Sequence, residues 1–146
     1  MKYFLSFLRS STSGLALGIA PEAVASLRYL PGTAGGLVGE DEEERRFSLP
    51  HFFGFPGVEL RHGIVLKGEG KTRVLLLGAV EKEVEYSPAE IYPPPALFSA
   101  LGVYTFLSGL CFLRADSGLT LPLLLIDPVR LVEEIDRVHD QGAVWG

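Results

Sequence analysis

Residues 58–86 run Val58-Glu59-Leu60-Arg61-His62-Gly63-Ile64-Val65-Leu66-Lys67-Gly68-Glu69-Gly70-Lys71-Thr72-Arg73-Val74-Leu75-Leu76-Leu77-Gly78-Ala79-Val80-Glu81-Lys82-Glu83-Val84-Glu85-Tyr86. The apolar runs are short and rich in β-branched residues and leucine, and glycines punctuate them. Gly68-Glu69-Gly70-Lys71 supplies a tight reversal between two such runs, so the stretch predicts an antiparallel meander.

Downstream, Pro88 and Pro93-Pro94-Pro95 predict an extended connection, because proline fixes φ and has no N–H for a ladder. Val103 to Leu113 and Leu119 to Ile126 predict a second hairpin, turning at Ala115-Asp116-Ser117-Gly118. Asp127 is a good N-cap and Pro128 a good first helical residue. Leu131, Val132, Ile135 and Val138 recur at helical spacing, which predicts a terminal helix over about residues 128–139.

Upstream, Phe47 to Gly57 holds Phe52, Phe53 and Phe55 between glycine and proline, a compact turn against the core that can leave one ring exposed as an anchor. Pro31 to Arg46, with its glycines and the acids Glu40 to Glu44, reads as a loop with solvated charges at its tip. Ala20 to Leu27 predicts a short helix started by Pro21. Tyr3 to Leu8 and Leu15 to Ile19 predict strands joined through Ser10 to Gly14, since Arg9 cuts the first apolar run too early for a signal peptide. Ile19-Ala20-Pro21 and Ile126-Asp127-Pro128 echo one another, suggesting two β units that each end in a helix.

With 146 residues, 47% apolar and 21% charged, the chain has the composition of one globular domain. Thirteen basic against 18 acidic residues give a net charge of −5, the wrong sign for a surface that tracks phosphates, and no nucleic-acid partner is expected. Cys111 is the single cysteine, so no intramolecular disulfide forms and a four-cysteine zinc site is excluded. No apolar run reaches the roughly 20 residues of a membrane helix; the longest, Leu97 to Leu113, is broken by Gly102, Ser108 and Gly109 and reads as strand rather than span. The expectation is a cytoplasmic protein without membrane insertion.

Candidate chemistry is sparse. His51, His62 and His139 lack ligand spacing, Cys111 lies in an apolar run with nothing to lower its pKa, and Ser108-Gly109 lacks a nucleophile elbow. Gly32 to Gly36 is followed by acids rather than by Lys-Ser or Lys-Thr, so it does not read as a phosphate cradle. No enzyme, metal or cofactor is expected. A binding module fits, and the alternative is a small-ligand-binding β-barrel sensor built on the phenylalanine cluster.

Phe47-Ser48-Leu49-Pro50-His51-Phe52-Phe53-Gly54, Arg61 to Leu66, Val74 to Val84, Ile91 to Pro95, Phe106 to Leu110 and Leu123 to Leu131 occur in an order and spacing that resemble the CheW-like domain family. The opening strands and Ile19 to Leu27 extend the resemblance over nearly the whole chain. It implies a mainly β fold of two intertwined five-stranded barrels with short helices and a C-terminal helix, residues 1–146 forming one such domain. It also implies a noncatalytic adaptor that couples a chemoreceptor to the regulatory domain of a CheA-type histidine kinase. Val24 matches a groove position of the family and Val80 a position in a partner-contacting strand, making both expected partner-binding residues. Gly36-Leu37-Val38-Gly39 stands where the family usually has Asn-Leu-Arg-Gly, and Gly78-Ala79 where it usually has Val-Asp.

Overall fold

A computed structural model describes residues 1–7, 16–33, 36–114, 118 and 120–140. In chain order the strands are β1 (Lys2–Phe7), β2 (Ala16–Ile19), β3 (Val24–Thr33), β4 (Val38–Glu40), β5 (Glu44–Ser48), β6 (Leu60–Leu66), β7 (Thr72–Leu77), β8 (Lys82–Glu85), β9 (Leu107–Arg114) and β10 (Thr120–Ile126). The helices are α1 (Leu49–Phe52), α2 (Ala96–Leu101) and α3 (Pro128–Asp140), with a 3-10 turn at Pro88–Glu90.

The strands form two five-stranded sheets, β8-β1-β2-β10-β9 and β3-β6-β7-β5-β4. The second sheet comes from one continuous stretch inserted between β2 and β8 of the first, so the two are interleaved as expected. Closure is not: no ladder among the described residues joins β8 to β9 or β3 to β4, and the sheets are open rather than barrels. The proline-rich segment after β8 has few N–H groups to offer and makes one bridge to β9, Tyr92 with Leu110. Around the other sheet, Arg28 on β3 reaches Glu44 on β5 at 2.7 Å, a side-chain tie in place of a ladder.

Several local expectations change. No helix spans Ala20–Leu27; Val24 N–H donates to Pro21 O at 3.0 Å to close a single turn, and β3 then pairs antiparallel with β6. The stretch expected as a loop contains the end of β3 and the β4–β5 hairpin, whose turn is held by Asp41 accepting from the Glu43 and Glu44 amides at 2.8 and 2.9 Å. The meander holds for β6 and β7, but β8 crosses to pair with β1. Residues 96–101 are helical rather than strand, and α2 ends at Gly102, whose φ of +65° suits a glycine cap. The expected turns at Ser10–Gly14 and Ala115–Ser117 lie outside the described residues.

The largest core cluster draws Leu17, Ile19 and Ile126 from the first sheet, Phe47, Ile64, Leu66, Leu75 and Leu77 from the second, and Leu131, Val132 and Ile135 from α3. Each such side chain contributes about 1.5–3 kcal/mol when fully buried. The terminal helix therefore covers a seam between the sheets. Arg45 fastens it further, with Nε donating to Asp136 Oδ1 at 2.8 Å from β5.

Candidate partner-binding surface

The residues with chemical potential are scattered and separately engaged. His62 Nδ1 accepts the Val80 amide at 3.3 Å, and its ring packs edge-on against Tyr29 with centroids 5.2 Å apart. The Ser48 hydroxyl caps the short α1 turn by accepting the His51 amide at 3.3 Å, and the His51 Nδ1 is buried without a hydrogen-bond partner. The Ser108 hydroxyl donates to the Leu125 carbonyl at 3.1 Å, and burial pushes the Cys111 thiol above its ordinary pKa. Among the described residues no group of three or more His, Cys, Asp or Glu side chains could hold a metal ion.

The acidic run is only partly a solvated tip. Glu40 pairs with Lys71 at 2.9 Å and with Arg45 at 3.0 Å, while Asp41 and Glu44 both pair with Arg46. Lys71 beside Glu40 and Arg28 beside Glu44 hold both carboxyls below the usual carboxylate range. Alternation along β5 sends Arg45 and Arg46 to opposite faces, so the run neutralises itself on both sides of the hairpin. Glu42 and Glu43 stay exposed at the tip.

The phenylalanines expected to leave an anchor turn inward. Phe52 and Phe53 meet each other at 5.3 Å and Phe106 at 5.7 and 6.0 Å, all edge-on. Phe55 is likewise half-buried against the same core. The exposed apolar side chains are elsewhere: Leu27 and Tyr29 on β3, Tyr92 and Phe112 beside the open edge of β9, and Leu97, Leu101, Val103 and Tyr104 around α2. The sequence reading missed these because it ended a helix at Leu27 and made Leu97 to Tyr104 part of a strand.

Val24 and Val80 are both half-buried and pack on the main core. Val24 opens β3 opposite Leu66, whereas the Val80 amide holds His62, four residues back along β6. At a strand rise near 3.3 Å the β6 residues that they meet, Leu66 and His62, are roughly 13 Å apart. β3 itself is an edge strand with one hydrogen-bonded neighbour and with Leu27 and Tyr29 exposed. Such an edge offers main-chain groups and apolar side chains together.

A cleft of about 410 Å³ lies where the first strand meets the start of α3, lined by residues including Tyr3, Glu22, Ile91 and Asp127. Asp127 is occupied in accepting the Val129 and Arg130 amides at 3.0 and 3.3 Å, and the Ser108 hydroxyl, which also lines the cleft, donates to the Leu125 carbonyl. No described helix is long and apolar enough to cross a membrane.

No family model and no curated protein matches the chain. Among solved structures, it is similar to the scaffolding protein TtCheW from Thermoanaerobacter tengcongensis, with a TM-score of 0.56 and 17% identity over 86% of this chain and 83% of that one. The likeness is one of fold: two interleaved five-stranded sheets, short helices and a C-terminal helix, arranged as in a CheW scaffold.

Proposed function

We propose that the chain is a noncatalytic adaptor of bacterial chemosensory signalling, which couples a chemoreceptor to a CheA-type histidine kinase through protein contacts. The observation that carries this reading is the CheW-scaffold fold combined with an exposed edge strand, β3, whose first residue is Val24. An adaptor works by presenting such surfaces, and it needs neither a converging set of acid, base and nucleophile nor a bound group. Residues 1–146 act as one unit in this reading, because α3 packs on a core drawn from both sheets. The cytoplasm is the compartment where these partners meet.

The test is reconstitution with a kinase regulatory domain and a chemoreceptor tip from the same genome. The chain is expected to join both and to change kinase output. Val24→Lys and Val80→Lys are expected to weaken association at least about tenfold, and Val24→Thr and Val80→Thr serve where the charged variants fail to fold. A protein that enters no complex and leaves kinase output unchanged defeats the proposal. The second reading, a small-ligand sensor, rests on the cleft of about 410 Å³; a saturable thermal shift with a metabolite, lost on Tyr3→Ala, would favour it.

A further inference from the structure

From Ile91 to Leu113 the chain carries no charged side chain, although 21% of the whole sequence is charged. Part of this stretch is core, but α2 buries none of its residues. Leu97, Leu101, Val103 and Tyr104 are 62, 64, 39 and 54% exposed. Tyr104 adopts a left-handed backbone with φ of +52°, and its ring packs against Phe98 at 5.0 Å. A left-handed tyrosine is uncommon and concentrates where the surrounding structure fixes a side chain for use. Beside α2 opens a cleft of about 280 Å³ lined by residues including Pro95, Phe98, Val103, Tyr104 and Leu107, with Arg130 of α3 as its one charged wall. That volume suits one large apolar side chain. The sole ion pair of Arg130 among the described residues is with Asp127 at 3.7 Å, longer than a hydrogen bond, and Asp127 Oδ1 is committed to the start of α3.

Size and charge select the occupant. The four exposed side chains present on the order of 400 Å², the size of the largest apolar patch on a typical monomer, which is often functional. Two copies meeting patch to patch would bury under about 1,000 Å², less than a stable dimer needs. An anionic membrane is disfavoured by a surface without a basic cluster on a chain of net charge −5. A short segment with an apolar face can cover the patch, and Arg130 selects a carboxylate beside that face.

We propose that α2 and its cleft dock a short amphipathic segment of a partner protein, with one bulky apolar side chain in the cleft and a carboxylate against Arg130. The site lies outside the β3 surface and does not rest on the signalling reading. It is tested with two synthetic helical peptides of roughly three turns. They share Leu and Phe at i, i+3, i+4 and i+7; one is flanked by Glu and the other by Lys. In ¹⁵N-resolved titrations the Glu peptide is expected to saturate and to shift the amides of residues 97–107 and Arg130, with the Lys peptide at least about tenfold weaker. Arg130→Gln should erase the difference between the peptides, and Leu101→Asp, at an exposed position, should abolish both interactions while leaving the unfolding midpoint in place. No saturable binding, shifts elsewhere, or equal affinity of both peptides for the unaltered protein overturns the proposal. So does sedimentation with phosphatidylcholine–phosphatidylglycerol vesicles that Leu101→Asp removes, which would assign the patch to lipid.

Discussion

Ile19 and Ile126 are register partners in the parallel pairing of β2 with β10, and the Ala20 amide extends that pairing by donating to the Ile126 carbonyl at 3.1 Å. Both side chains are fully buried in the cluster that also holds Phe47, Leu75 and Ile135. Strands from opposite ends of the chain therefore meet where both sheets and α3 share one core. Ile126→Ala is expected to lose about 2–5 kcal/mol of unfolding free energy, because the cavity it leaves is walled by three different elements. Urea denaturation followed by circular dichroism should show one transition at a lower midpoint. A second transition, or a loss well under about 1 kcal/mol, would mean that the sheets hold separate cores.

The segments that follow these two isoleucines diverge for a local reason. After Ile126, Asp127 Oδ1 accepts the amides of Val129 and Arg130, satisfying donors that the first turn of α3 leaves open. After Ile19 the corresponding residue is Ala20, which has no acceptor, and the Ala23 carbonyl instead takes the Lys67 amide at 2.8 Å, committing the chain to a strand. Asp127→Ala is expected to cost about 1 kcal/mol, read from the urea midpoint, and Asp127→Ser to restore most of it. Equal destabilisation by both substitutions would place the role of Asp127 in the neighbouring cleft rather than in the cap.

What could be read from the sequence and what could not divides along this line. The period of Leu131, Val132 and Ile135, the Gly68–Gly70 reversal between β6 and β7, and the run Leu123 to Ile126 are local signals, and α3, the hairpin and β10 follow them. Ala20 to Leu27 shares the opening proline of α3 but not its aspartate cap, and tertiary pairing with β6 overrides its weak helical preference. The departure of β8 to pair with β1 depends on residues far apart in sequence, and no periodicity encodes it. The candidate surface was harder still. Leu27 and Tyr29 have the composition of core residues, and only the position of β3 at a sheet edge exposes them.

Cys111 lies on β9 with no solvent exposure, between Tyr3, Tyr86 and Leu123 of the second core cluster. Burial raises its thiol pKa, and the negative charge of Glu90 adds to the effect. The thiolate is the reactive form, so both the scarcity of thiolate and the closed packing slow alkylation. Native protein at neutral pH is expected to react with iodoacetamide at least about a hundredfold more slowly than protein in denaturant, and mass spectrometry follows the single site directly. Comparable rates in the two states would overturn this and show that β9 opens readily at the edge that the single bridge at Tyr92 covers.

Asp41 makes the β4–β5 turn sensitive to acid. The Glu44 amide, the Arg46 guanidinium and the Glu43 amide together bring its carboxyl from 3.8 down to about 2. A carboxyl with a lowered folded pKa contributes its full stabilisation above its unfolded value and loses it as pH falls toward the folded one. The stability difference between the unaltered protein and Asp41→Ala should therefore be constant from about pH 7 to pH 5, shrink below about pH 4 and level off only below about pH 2. Asp41→Asn separates the contributions, since its amide oxygen can still accept both backbone N–H groups but carries no charge for Arg46. That variant should keep most of the neutral-pH stability of the turn, because the largest cause of the shift is a backbone amide. Its stability should also fall less steeply in acid than that of the unaltered protein. If Asn behaves like Ala at neutral pH, the turn depends on the ion pair with Arg46, and high salt should then weaken the unaltered protein at this site to the same degree.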